Sequence, residues 1–450
     1  MSPLSVQFWG ATRSVTGSMH VVRAGGRTIL LDCGRSRGHE TELPCPAEQI
    51  AAVVISHAHV DHCGFLPPLV RQGFHGPIFC TPPTRDLLEP VLADSARFQE
   101  GRAWVHRIVS GDKDGQLFGY ADVTHVLNLC RAAPYGQRFE VVSGLAGTFF
   151  DAGHILGSAM VHLEADGRTL TFTGDYGRPN MPILRSPQPI PPADLIICES
   201  TYGGRRHEPV AQTMERLADI VTRTIDRGGK VLIPSFSLGR MQLVSYALVD
   251  LMRSEAIPKV PLYVDSPLAE QFVNIHRTHV QCLNDKAQQE LASGAGFLDG
   301  TNVEYLQLRE ASVAVAESRE PCIVVASGGM CDGGRILHHL KRHLDDPRCT
   351  IVLISYQAPG TLGRQLMEPR PQVRFHGRKW NFWAETVDLN GFSGHADHDE
   401  LITALRPLAP TTSQLCLVHG EYEAAQHLTE PLAAAGYKEV LIPAKGQELV

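Results

Sequence analysis

No stretch of this sequence reaches the roughly 18 consecutive apolar residues of a membrane-spanning helix, so no such span is expected. The segment Met1 to Gly10 lacks a basic start followed by a long apolar core, so a secretory signal is not expected and the cytoplasm is the default compartment. There is no CxxC pair, and the eleven cysteines are scattered and odd in number, which reads as reduced, mostly buried thiols and not a disulfide framework. An excess of basic charge is also missing. With 41 Lys and Arg against 48 Asp and Glu the net charge is -7, which counts against a dedicated nucleic-acid binder but not against an enzyme with its basic residues gathered in one cleft. Low-complexity tracts and short repeats are absent. What is present is enough apolar material, 43% of residues against 20% charged, to build full cores. At 450 residues the chain exceeds one ordinary domain and falls short of three.

The first 200 residues read as strands joined by glycine-rich turns. Val21-Val22 and Thr28 to Leu31 flank Gly25-Gly26, a hairpin signal, and Ala51 to Ile55 is an apolar run ending at Ser56-His57. Further strands are expected at Gly147 to Phe150, Ala159 to Leu163, Thr169 to Thr173 and Leu195 to Cys198. After about Tyr202 the texture changes. Helical spacing over Val210 to Arg227 and Met241 to Met252 alternates with buried strands at Lys230 to Pro234, Pro261 to Val264, Cys322 to Ala326 and Thr350 to Ser355, the pattern of parallel βαβ units. Ala384 to Leu389 and Gln414 to Val418 return to short strands that precede histidine motifs. The pattern predicts one α/β domain inserted late into another, divided as 1–205, 206–383 and 384–450.

The chemistry starts at His57-Ala58-His59-Val60-Asp61-His62, directly after a buried strand. In extended backbone, residues two apart face the same way, so His57 and His59 can grip one ion together. Asp61 and His62 follow the turn, point elsewhere and suit a second ion. Imidazole and carboxylate donors fit Zn²⁺, with Mn²⁺ or Fe as alternatives. Other strand ends supply more donors: His154 in Asp151-Ala152-Gly153-His154, Asp175 in Thr173-Gly174-Asp175, and His419 in Leu417-Val418-His419. A carboxylate such as Asp175 can bridge two cations, and Asp32 is placed to orient a ligand histidine from behind.

This ordered set, Asp32, His57-x-His59-x-Asp61-His62, His154 and Asp175, resembles the metallo-β-lactamase fold superfamily. Glu199 in Cys198-Glu199-Ser200-Thr201, His395 in Ser393-Gly394-His395-Ala396-Asp397, and His419 resemble the three later motifs of the β-CASP nucleases, in the compact bacterial and archaeal RNA-processing type related to the endonuclease subunit of mRNA 3′-end cleavage. The resemblance implies a metallo-β-lactamase αββα sandwich with an inserted β-CASP α/β domain of parallel sheet flanked by helices. It also implies two Zn²⁺ per chain, with Mn²⁺ as substitute: one held by His57, His59 and His154, the other by Asp61, His62 and His419, with Asp175 between them. The activity it implies is hydrolysis of RNA phosphodiester bonds by two-metal activation of water, in endonuclease or 5′-3′ exonuclease mode.

Two cations about 4 Å apart suit such hydrolysis. Asp61, Glu199, His395 and Asp32 form the expected catalytic set, in which the resemblance implies His395 as general acid or phosphate contact and Glu199 as the residue orienting it. The inserted domain is expected to close over the metals and hold single-stranded RNA. Its glycine-rich turns, Ser235 to Arg240 and Ala326 to Arg335, suit phosphate. Arg240, Ser327, Gly328, Gly329, Arg335 and Ser393 are the candidate contacts, and Arg364 and the run 374–379 are weaker basic candidates that a solvated face explains equally well. No membrane partner is expected, and a homodimer is left open. The competing readings are a DNA nuclease of the same fold, disfavoured by His419; a thioester or lactam hydrolase, disfavoured by the long insertion; and a non-catalytic scaffold, disfavoured by the complete ligand set.

Overall fold

The computed structural model describes residues 4–36, 41–110, 117–294, 297–300, 302–358, 360–375 and 377–449. It divides into two units. The first comprises Met1–Pro179, Ser186–Arg206 and His395–Val450, and the second Asn180–Arg185 and His207–Gly394.

Two seven-stranded sheets form the first unit. One runs, edge to edge, Glu448–Leu449, Ser5–Phe8, His20–Ala24, Arg27–Leu31, Ile50–Val54, Ile78–Cys80 and Cys130–Ala132. The other runs Val440–Leu441, Gln414–Val418, Leu195–Glu199, Arg168–Phe172, Ala159–Ala165, Leu145–Asp151 and Arg138–Val142. Their inner faces meet in one apolar layer that includes Val22, Leu31, Val54, Phe149, Val161, Phe172, Ile197 and Val418. On the outer face of the second sheet, Ile196, Cys198, Leu415 and Leu417 pack against Leu401 and Leu405 of helix His398–Leu405 and Leu428 and Leu432 of helix Tyr422–Ala434. Strand Leu195–Glu199 thus sends Ile197 to one layer and Ile196 and Cys198 to the other, the period-two alternation of a strand buried on both faces. This layering is the expected αββα sandwich.

One feature of the first 200 residues departs from the strand-rich reading. Pro82–Ser110 and Tyr120–Leu129 are helices. Leu87, Leu88, Val91, Leu92 and Ala96 are buried at helical spacing, a stripe that Pro90 within the segment masks in the sequence.

The second unit holds a six-stranded, all-parallel sheet in the order Val303–Tyr305, Leu262–Asp265, Ile323–Ser327, Val231–Ser235, Thr350–Leu353 and Glu385–Asp388. Residues 384 to 394 were expected to open the returning part of the first domain. Instead Glu385–Asp388 pairs in parallel with Thr350–Leu353 as the edge strand of the second sheet, so the return comes at His395. The basic run 374–379 lies on the hairpin Gln372–Phe375 and Arg378–Asn381, with His376 outside the described residues. Among the described residues no helix is long and apolar enough to cross a membrane.

Candidate metal centre

Six strand ends of the first unit deliver the site. The strand Ile50–Val54 runs into Ser56 and His57, and His59 caps the short helix Val60–Cys63 that carries Asp61 and His62. The turn after Arg27–Leu31 interlocks with this loop through its backbone. Cys33 N–H donates to the His62 carbonyl at 2.8 Å, Arg35 N–H to Val60 at 3.1 Å, and Phe65 N–H to Cys33 at 2.9 Å. Gly34 sits so close that a Cβ there would fall 1.6 Å from the Asp61 carbonyl oxygen. Two site residues hold left-handed backbone without being glycine: Asp32 at φ 60° and His419 at φ 45°. Such conformations cost free energy and persist only where surrounding contacts enforce them. His419 is enforced by its N–H donating to the Ala11 carbonyl and by Thr201 Oγ1 donating to its carbonyl.

Asp175 lies at the centre and is buried. Its Oδ2 is 3.5 Å from Nε2 of both His57 and His154. Its Oδ1 is 3.3 Å from His62 Nε2 and 3.3 Å from His419 Nδ1. One carboxylate oxygen therefore faces each ligand group. The donor atoms of His57, His59, His154 and Asp175 lie within 4.8 Å of one another, as do those of Asp61, His62 and His419. The resemblance implies the same two groups.

The donor set fits metal ions. Asp175 Oδ1 is buried without a hydrogen-bond partner among the described residues. Ring nitrogens face one another, His57 Nε2 to His59 Nδ1 at 3.1 Å and His62 Nε2 to His419 Nε2 at 3.2 Å. Lone pairs at such distances need a proton or a cation between them. Burial holds His57 well below the usual imidazole range and His59 at about 4. Burial also opposes charge on His62, but Asp175 and Asp32 outweigh it and hold His62 well above the usual range. His419 is raised likewise, Asp175 and Asp61 overcoming burial. The carboxylates draw protons onto these two rings, the charge that divalent cations would supply in their place.

Behind the ligands sits a ring of positioning groups. Asp32 Oδ2 lies 2.7 Å from His62 Nδ1, leaving Nε2 directed at the site. Asp32 is itself held by Ser56 N–H at 2.8 Å, Ser56 Oγ at 3.0 Å and Ser18 Oγ at 3.0 Å. Ser56 Oγ also lies 3.0 Å from His57 Nδ1, and Thr201 Oγ1 3.2 Å from His419 Nδ1. At the edge of the cluster, His395 Nδ1 is 3.1 Å from Glu199 Oε1, 3.2 Å from Oε2 and 3.9 Å from Asp175 Oδ2. Glu199 is fully buried and accepts from Tyr176 N–H at 2.7 Å and Thr201 N–H at 3.3 Å. Ser18, Ser56 and Thr201, which contact Asp32, His57 and His419, are residues that motif reading does not single out. Only the position of Ser56, just before His57, offered any signal.

The phosphate-contact candidates all belong to the second unit. Arg240 donates to the Phe392 carbonyl. Arg335 donates to the Gln307 carbonyl at 2.9 Å and stands 3.9 Å from Asp265 Oδ1, while its N–H donates to Ser327 Oγ at 3.3 Å. Gly328 has φ 114°, and a Cβ there would fall 2.0 Å from the Gly333 carbonyl oxygen; Gly329 packs beside Phe236. Ser393 is buried and its N–H donates to Asn390. Arg364 is exposed.

Comparison with known proteins gives the chain's relatives. Residues 13–201 match the metallo-beta-lactamase superfamily, 241–366 the Beta-Casp domain, and 383–443 the Zn-dependent metallo-hydrolase RNA specificity domain. A ribonuclease of Thermus thermophilus is 37% identical over 95% of this chain and 96% of its own. The transcription termination factor FttA of Methanosarcina mazei is 31% identical over 96% of this chain and 69% of its own. An RNase J-like protein of Methanocaldococcus jannaschii is 29% identical over 92% of each. A crystal structure of a protein of unknown function from Enterococcus faecalis shares the fold across the whole of both chains, at 12% identity and a TM-score of 0.54.

Proposed function

This chain belongs to the β-CASP ribonuclease family of metallo-β-lactamase-fold hydrolases, and from that premise we propose that it is a zinc-dependent ribonuclease carrying two ions per chain. The observation that carries this reading is the Asp175 carboxylate, with one oxygen turned to each of two complete ligand groups. His57, His59 and His154 would hold one ion, and Asp61, His62 and His419 the other. When bound, the pair supplies acidity to a water molecule and positive charge to phosphate oxygens.

The chain's own residues do the rest. Asp32 fixes the His62 ring so that Nε2 is the donor nitrogen. Glu199 is an acceptor for Nδ1 of His395, so Nε2 is the nitrogen that hands a proton to the departing 3′-oxygen. Glu199 touches no substrate and is a positioning residue. Of the second unit's candidates, the turn formed by Ser327, Gly328 and Gly329 is the proposed phosphate contact. Arg240 and Arg335, engaged with Phe392, Gln307 and Asp265, hold the turns in shape.

The test uses single-stranded RNA labelled at either end, carrying a 5′-phosphate or a 5′-triphosphate, with the zinc-loaded protein. Internal fragments would mark an endonuclease and mononucleotides a 5′-3′ exonuclease. Intact RNA in the presence of two bound zinc ions would refute the proposal.

A further inference from the structure

Outside the hydrolytic site, the second unit contains a cavity of about 600 Å³ at the amino ends of its parallel strands. Lys230 and Cys349, just before Val231–Ser235 and Thr350–Leu353, line it. So do Ala316, Glu317 and His343 from the C-terminal ends of helices Arg309–Glu317 and Ile336–His343. Within it His343, Asp346 and Cys349, spaced three residues apart, place an imidazole nitrogen, a carboxylate oxygen and a thiol sulfur within 4.8 Å of one another.

The ligand class follows from the charges around these atoms. Helix C-termini present carbonyl oxygens and partial negative charge. The cavity's basic groups are mostly spent. Lys230 Nζ donates to the Val315 carbonyl at 2.6 Å, Arg342 pairs with Glu317 at 2.5 Å, and Arg348 pairs with Asp346 at 2.8 Å, leaving Arg319 exposed at the rim. An anion would meet engaged donors and carbonyl ends. A cation meets lone pairs. His343 Nε2 is buried with no hydrogen-bond partner among the described residues. A buried imidazole nitrogen left open in this way is the donor that metal-binding histidines use. Cys349 Sγ accepts from Lys230 N–H at 3.4 Å, a contact that opposes the burial pushing its thiol up. Asp346 Oδ1 accepts from the Arg348 N–H and Nε at 3.0 Å and its Oδ2 from Arg348 Nη2 at 2.8 Å, so a cation here would take an oxygen that also serves Arg348.

We propose that His343, Asp346 and Cys349 form a separate site for one thiophilic divalent cation of the Zn²⁺ type, with its fourth position open to the cavity. Binding displaces the thiol proton of Cys349 to solvent as the metal–sulfur bond forms, with no change of oxidation state. The site ties the C-terminal end of helix Ile336–His343 to the start of strand Thr350–Leu353.

Cobalt(II) titration of the metal-stripped full chain tests it, because thiolate ligation gives a near-ultraviolet charge-transfer band that histidine and carboxylate ligands do not. The wild type is expected to show this band and to bind one more ion per chain than Cys349→Ser. That variant loses the band while hydrolysis and circular dichroism stay at wild-type levels. His343→Gln, which leaves the thiol in place, should weaken cobalt binding at this site at least tenfold. Absence of the band from the wild type, or its persistence in Cys349→Ser, overturns the proposal. Neither readout depends on whether the protein cleaves RNA.

Discussion

His395 differs from the ligand histidines in where it stands: at the rim of the cluster, with Glu199 and not a second imidazole as its nearest charged partner. His395→Ala is therefore expected to keep both hydrolytic ions and lose about 10²–10⁴-fold in RNA cleavage. Elemental analysis beside a cleavage assay checks this, and loss of metal from the variant would reassign His395 as a ligand. Asp32 predicts the converse. It holds His62 from behind, so Asp32→Ala should weaken metal affinity about 10–100-fold, with activity partly restored by excess Zn²⁺. His20 makes a third case. Its ring lies between Phe8 and Phe172 with both nitrogens unpartnered, and burial holds it down at about 3. The unfolded chain takes up a proton below about 6.5, the folded one only below about 3. Between these values the unfolded state binds more protons, so stability falls as pH falls, by up to about 1.4 kcal/mol per pH unit. Urea unfolding of wild type and His20→Phe across pH 4 to 7 should show the shallower slope in the variant. The ligand residues themselves were legible in the sequence because imidazole and carboxylate side chains cluster at strand ends for few other reasons. Ser18, Ser56 and Thr201 were not, because serine and threonine occur throughout the chain and only the folded geometry aims these three at Asp32, His57 and His419.

At the scale of elements, the loop 56–65 depends on the turn that follows Arg27–Leu31 more than on its own helix of four residues. Gly34→Ala puts a methyl group into the Asp61 carbonyl, so the loop must shift and drag Asp61 and His62 with it. The expected result is a loss of about 1–3 kcal/mol or more in stability together with weakened metal binding, read by urea midpoints and zinc titration. Wild-type zinc affinity in a destabilised Gly34→Ala protein would show that the two segments are not coupled. Strand reading from the sequence succeeded where each strand carries its own apolar run, as in Ile50–Val54 or Val231–Ser235. It failed for the assignment of Glu385–Asp388, because which sheet an edge strand joins is decided by a partner, Thr350–Leu353, far away in the chain. The helix Pro82–Ser110 was missed because its internal proline reads locally as a break.

Across the whole molecule, the two units have separate sheets and cores, and each carries its own group of candidate metal ligands. The hydrolytic centre gathers strand ends from both sheets of the first unit. Chelation should therefore speed hydrogen exchange in peptides spanning 55–65, 151–158, 173–177 and 417–421. At an ion concentration of 1,000 times the dissociation constant, binding contributes about 4 kcal/mol, enough to lower the first unit's melting transition by several degrees on removal. Unchanged exchange in these peptides would mean that the site is already rigid without ions.

The parallel pairing of Gln414–Val418 with Leu195–Glu199 has a consequence in time. His62 and His419 are 357 positions apart, so a ribosome adding about 5–20 residues per second has the first ligand made on the order of half a minute before the last. Until that late strand emerges and inserts beside Leu195–Glu199, one ligand group is missing its histidine. A growing chain would thus carry an incomplete centre, unable to cut the messenger being translated, until His419 has been made.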